Sequence, residues 1–177
     1  MRKKIELTSL QKRMLLTLIF LLRLLVLSIP LYAVLTFSQI LNPLQLTVAG
    51  QIEFMLRVSG LNVSREGAYL SVFSENNMGF AFVIDQDCTG WKSLLFFSAL
   101  VFAVPAVKNK KRFYGIAAGL PVIWVANLFR IFSAVLAGLA YGPETASFLH
   151  DFLWQFGLIS LVLGLWFAWL RWFSLKV

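Results

Sequence analysis

Apolar residues run almost unbroken through four stretches of this chain, and the residues between them follow other rhythms. The stretches are Met14 to Phe37, interrupted by Arg23, Gly90 to Val107, Phe113 to Tyr141, containing Arg130, and Phe152 to Leu170. Each approaches or exceeds the roughly 20 residues a helix needs to cross a hydrocarbon layer about 30 Å thick. They predict transmembrane helices over 14–37, 90–107, 113–141 and 152–170, the second being the shortest. Within 38–89, Leu44, Leu46, Val48, Ile52, Met55, Leu56 and Val58 form a helical stripe that Gly60 ends, which reads as an amphipathic helix at the membrane interface. Two alternating runs follow, Ala68 to Phe73 and Gly79 to Ile84, joined by Ser74-Glu75-Asn76-Asn77-Met78, a segment with turn chemistry. They predict a β-hairpin leading directly to Asp85-Gln86-Asp87-Cys88. The expected fold is an all-α integral membrane bundle of about four transmembrane helices, with a small external cap made of a helix and a β-hairpin.

Charge gives the bundle a direction. The chain of 177 residues is 59% hydrophobic, with 16 basic residues and a net charge of +8. Such a charge would suit nucleic acid if the basic residues formed a patch, but here they punctuate apolar runs. Arg2, Lys3, Lys4, Lys12 and Arg13 precede the first span, Lys108, Lys110, Lys111 and Arg112 lie in the 108–112 loop, and Arg171 and Lys176 end the chain. The segments on the other side, 38–89 and 142–151, hold only Arg57 and Arg65. Positive residues stay inside, so segments 1–13, 108–112 and 171–177 are expected in the cytoplasm and the cap outside the plasma membrane. The first span is longer than a signal-peptide core and no small-residue cleavage site follows it cleanly, so it is read as retained. Trp154, Trp166, Trp169 and Trp172 are expected to anchor the last helix at the interfaces.

Candidate chemistry is sparse, and its placement carries the information. One cysteine excludes an internal disulfide, one histidine makes a protein-only zinc site improbable, and no phosphate-binding glycine loop is present, so neither metal nor organic cofactor is expected. Arg130 lies about 26 Å along a helix that starts at Phe113, close to the outer boundary. Cys88 precedes the second span on that side, and His150 precedes the fourth. Each alone has a plainer reading: a cysteine packs, an arginine snorkels, a histidine caps a helix. Together they offer a thiol nucleophile, a group to stabilise oxyanion charge, and a general acid or thiolate partner. Thr89 and Gly90 mark the turn into the helix, so its dipole, with Lys92 one turn on, should lower the thiol's pKa, whereas Asp85 and Asp87 oppose this. Asn127 shares a helical face with Arg130. Asp151 is next to His150 and ranks below Asn127 as its support, and Trp91 either anchors the second helix or lines a substrate groove.

In its order and membrane side, Cys88-Thr89-Gly90, then Asn127-Leu128-Phe129-Arg130, then His150 resembles the core of the exosortase and archaeosortase family over roughly Asp85 to Arg171. The resemblance implies a membrane cysteine transpeptidase in compact form, with Cys88, Arg130 and His150 catalytic. Its partner would be the C-terminal sorting signal of an exported protein: a short motif, a membrane helix and a basic tail. A thioester on Cys88 would pass to an acceptor such as a lipid amine or another surface group. Two other readings stay open: a non-enzymatic membrane subunit, such as a transporter component or an assembly factor, in which Arg130 and Lys92 bind an anion, and a hydrolytic membrane protease that passes the acyl group to water.

Overall fold

The structure, a computed structural model, describes residues 8–73, 79–105 and 107–173, apart from the side chains of residues 38, 150, 153–155 and 173. The first helix opens on a capping box in which Thr8 and Gln11 exchange hydrogen bonds of 2.9 and 3.3 Å. It runs as α1, Ser9–Leu27, turns at Ser28 just before Pro30, whose ring cannot donate to the preceding turn, and continues as α2, Ile29–Thr36. Together they span 28 residues, their most apolar 18-residue window has a mean hydropathy of 2.5, and no residue in that window is buried. A helix that turns Leu18, Leu21, Leu22 and Leu25 outward and buries none of them has lipid as its natural solvent.

After α3, Asn42–Val58, come three strands, β1 Asn62–Glu66, β2 Tyr69–Phe73 and β3 Gly79–Val83, paired antiparallel in the order β1-β2-β3. A 3₁₀ turn over Gln86–Thr89 then leads into α4, Trp91–Ala103. α5, Asn109–Tyr141, holds 33 residues, with a mean hydropathy of 1.9 over its most apolar 18-residue window, and is about 50 Å long at the usual rise, well beyond the thickness of a hydrocarbon core. α6, Pro143–Phe152, passes through a π-helical stretch, Leu153–Leu158, into α7, Ile159–Phe173. α1–α2 and α5 are long and apolar enough to cross a membrane, while Trp91–Ala103 and Phe156–Trp172 are apolar but shorter.

The extra length of α5 lets it serve two cores. Its first part joins Phe97, Leu100 and Val101 of α4, Leu158, and Val162 and Trp169 of α7 around Ile123. Gly115 and Gly119 admit the rings of Trp169 and Phe97, which would stand 2.4 and 2.3 Å from an added Cβ. Its second part contributes Ile131 and Val135 to a core with Val48, Ala49, Ile52 and Leu56 of α3 and Val63, Leu70, Val72 and Ile84 of the strand segment.

Three expectations are corrected here. The middle of the α3 stripe, Val48, Ile52 and Leu56, is buried against the sheet and α5 as part of a protein core, while Leu46 and Val58 of the same stripe remain exposed. The expected hairpin is present as β2 and β3, but β1 extends it into a three-stranded meander. β1 is tied to α3 by Arg65 Nε donating to Glu53 Oε2 at 2.6 Å and Arg57 Nη2 donating to the Val63 carbonyl at 2.6 Å. The Arg65 bond, with Arg57 beside it, holds the Glu53 carboxyl below the usual range against the opposing pull of burial. Trp169 is not an interfacial anchor, since it is buried and donates to the Lys111 carbonyl at 3.0 Å, whereas Trp172 is exposed. The expected turn at Ser74–Met78, the basic residues Arg2, Lys3, Lys4 and Lys176, and the Trp154 side chain lie outside the described residues.

Candidate active site

Cys88 sits in the tight turn between sheet and bundle. Asp85 caps this turn, its carboxylate accepting from the Gln86 N–H at 2.6 Å, and its carbonyl accepts from the Cys88 N–H at 3.0 Å. Thr89 is fully buried and donates to the Gln86 carbonyl at 2.7 Å, while Gln86 Nε2 reaches Asn42 Oδ1 of α3 at 3.2 Å. Gly90 closes the turn with φ +76°, the left-handed conformation that a side chain disfavours.

From the middle of α5, two side chains converge on this turn. Asn127 Nδ2 donates to the Cys88 carbonyl at 2.8 Å, and Arg130 Nη2 donates to the same oxygen at 3.3 Å. Both are buried, at 1% and 5% exposure, so their bonds form away from competing water. The pair therefore fixes the backbone of the cysteine and brings a guanidinium charge to its neighbourhood. Gly90 is part of the same device, because a Cβ there would lie 2.9 Å from Asn127 Cγ. Gly90→Ala is expected to combine left-handed strain with displacement of Asn127 and to destabilise the protein by about 2 kcal/mol, read as a lower unfolding temperature in detergent. An unchanged unfolding temperature would remove Gly90 from this device.

The electrostatics differ from expectation. Burial pushes the Cys88 thiol up from its ordinary range, an effect to which Asp85 and Asp87 add, and a backbone hydrogen bond at Asp85 and the Arg130 charge only partly offset it. The cysteine also lies ahead of α4, in the preceding turn, so the thiol is not at that helix's first positions. Lys92 pairs with Asp87, Nζ to Oδ1 2.8 Å, and stands 5.8 Å from the Trp91 ring centroid. It answers a carboxylate that opposes the thiolate. Trp91 is buried and lines no part of the cleft described next.

A cleft of about 290 Å³ opens beside Cys88, lined by Phe80, Phe82, Val83 and Ile84 from the end of the sheet, Ile131, Ala134 and Val135 from α5, and Pro143, Ala146 and Ser147 from α6. These lining residues, unlike Asn127, were not anticipated from the sequence, although the alternation of β3 was their visible signal. His150 belongs to α6, one turn beyond Ala146 and Ser147, but its side chain lies outside the described residues. Asp151 is exposed, and its charge acts on Arg130. Among the described residues no cluster of three or more histidine, cysteine or carboxylate side chains is arranged to hold a metal ion.

The sequence model of the transmembrane exosortase family matches residues 5–170, most of the chain. No curated protein and no solved structure matches it.

Proposed function

The chain belongs to the transmembrane exosortase family, and on that premise we propose that it is a membrane cysteine transpeptidase acting on the C-terminal sorting signals of exported proteins. The observation that carries this reading is the grip of the buried Asn127 and Arg130 on the backbone of Cys88, the residue that itself lines an apolar cleft. In the proposed reaction the Cys88 thiolate attacks the carbonyl carbon of a substrate peptide bond, with Arg130 as the positive group facing the developing oxyanion. The C–N bond breaks, the departing amine takes a proton from His150, and the exported segment remains on Sγ as a thioester. An acceptor nucleophile, a lipid amine or another surface group, then attacks the same carbon and gives its proton to His150, and the C–S bond breaks to restore the thiolate.

A thiol shifted upward suits this sequence if ionisation is completed by the substrate and the histidine, because a desolvated thiolate is the stronger nucleophile once formed. Four membrane crossings, both termini in the cytoplasm and the cap outside are part of the proposal, supported by the distribution of lysine and arginine. Sorting signals with a membrane helix and a basic tail would present their cleavage point at the level of the cap.

Trapping of the intermediate tests the reading. Membranes containing the protein and an exported, tailed substrate, quenched in acid, should yield an adduct with the mass of the protein plus the substrate less its departed tail, which hydroxylamine releases and which maps to Cys88. Processing that proceeds with no such adduct, under quenching fast enough to stop turnover, would remove the thioester from the mechanism.

A further inference from the structure

The outer edge of β3 differs from the outer edge of β1. The Ile84 N–H bonds across the ladder to the Ala68 carbonyl at 3.0 Å. Backbone groups alternate along an antiparallel strand, so Phe82 and Phe80 also turn theirs toward β2, and Ala81 and Val83 turn theirs away. Those outward groups meet no neighbouring strand among the described residues. Natural sheets commonly blunt such edges with charge, proline or a bulge. β1 carries Arg65 and Glu66, but β3 reads Gly-Phe-Ala-Phe-Val, with no charge and no proline.

This open edge faces the Cys88 cleft. Phe80 and Phe82 point to one face of the sheet and Val83 to the other, and all three line that cleft, so it reaches the end of β3 nearest Cys88, beside the exposed Ala81 and Val83. Ala134 and Val135 form its floor and Cys88 lies where the chain leaves the strand.

We propose that the extended segment of the substrate preceding the scissile bond binds as a fourth strand, pairing its backbone with Ala81 and Val83 and running parallel to β3. This rests on the transpeptidase reading above. The direction follows from connectivity: the substrate chain must descend from its exported domain to the thiol before entering the membrane, and β3 descends toward Cys88 in the same sense. Backbone pairing supplies affinity that is indifferent to sequence, while alternate side chains meet the floor of Ala134 and Val135. The site therefore selects apolar side chains at every second position and tolerates any residue between them.

Proline at an outward-facing edge position removes a donor without breaking the ladder behind it. In membranes that also contain a tagged exported protein of the same genome ending in an apolar helix and a basic tail, Ala81→Pro should slow processing about tenfold, the loss of one buried hydrogen bond. Ala81→Val keeps the N–H and should lose clearly less than Ala81→Pro, which separates the missing donor from the added bulk. Equal alkylation of Cys88 by iodoacetamide in all three proteins reports an intact turn. A second measurement is independent of proline: with Ala81→Cys in a Cys88→Ala background, single cysteines placed successively along the substrate segment should form disulfides with a period of two. Parental processing by Ala81→Pro, or crosslinking without that period, overturns the strand pairing while loss of processing in Cys88→Ala leaves the catalytic reading standing. Processing that survives Cys88→Ala overturns both.

Discussion

Replacing Cys88 with alanine is expected to abolish processing of a tailed substrate, by at least about a thousandfold, while leaving the protein's abundance in the membrane and its unfolding temperature close to the parent's. The turn that carries the cysteine is held through backbone groups: its N–H bonds to Asp85 and its carbonyl accepts from Asn127 and Arg130. Alanine keeps all of these and removes the sulfur with its contact at Asp85, so a large loss of activity without a comparable loss of stability has a chemical cause. Cys88→Ser makes the comparison sharper, since it preserves shape but leaves a hydroxyl that does not ionise near neutral pH. A well-folded alanine variant that processes substrate at the parental rate would instead favour a non-enzymatic membrane subunit.

Arg130→Gln is expected to slow thioester formation by about two orders of magnitude, the usual scale for losing one stabilising donor of a developing oxyanion. The guanidinium is buried and Nη2 already donates to the Cys88 carbonyl, so its charge is presented in a medium that screens it poorly. Arg130→Lys should recover little of the rate, because an ammonium on a different stem cannot reproduce the planar fork. Asn127→Ala should cost less, about tenfold, as it removes a neutral donor and no charge. The measurement is the single-turnover rate of adduct formation. Equal rates for Arg130→Gln and the parent would reduce Arg130 to a structural clamp on the turn.

Several parts of this arrangement were legible in the sequence for definite reasons. Asn127 and Arg130 lie three residues apart in a long apolar helix, where helical spacing alone puts them on one face, and the glycine after Cys88-Thr89 signals the turn they grip. The alternation in Tyr69–Phe73 and Gly79–Val83 is strong enough to announce a hairpin without tertiary help. β1 could not be read in this way. Asn62-Val63-Ser64-Arg65-Glu66 has one apolar residue, and it is a strand because β2 offers a ladder and because Arg57 and Arg65 bind it to α3. The thiol's environment was misread for a related reason. Sequence spacing displays a helix start and a lysine one turn on, but not that burial is the largest influence on Cys88 or that Lys92 is committed to Asp87. Membership of the family and a mostly helical membrane architecture stand on the match and the fold; the triad as catalytic machinery stands on the experiments above.

The reach of α5 into both cores also imposes an order on synthesis. α3 and the three strands leave the ribosome well before Ile131 and Val135, the residues that complete their core. Until α5 has been made and its second part packs beside them, the apolar faces of Ile52, Leu70 and Val72 lack that part of their cover. The unit of α3 and the three strands therefore cannot complete its core as an autonomous domain before α5 is made. It is completed only once α5 is in place, so the cysteine turn is assembled late, after the helix that will hold it has been made.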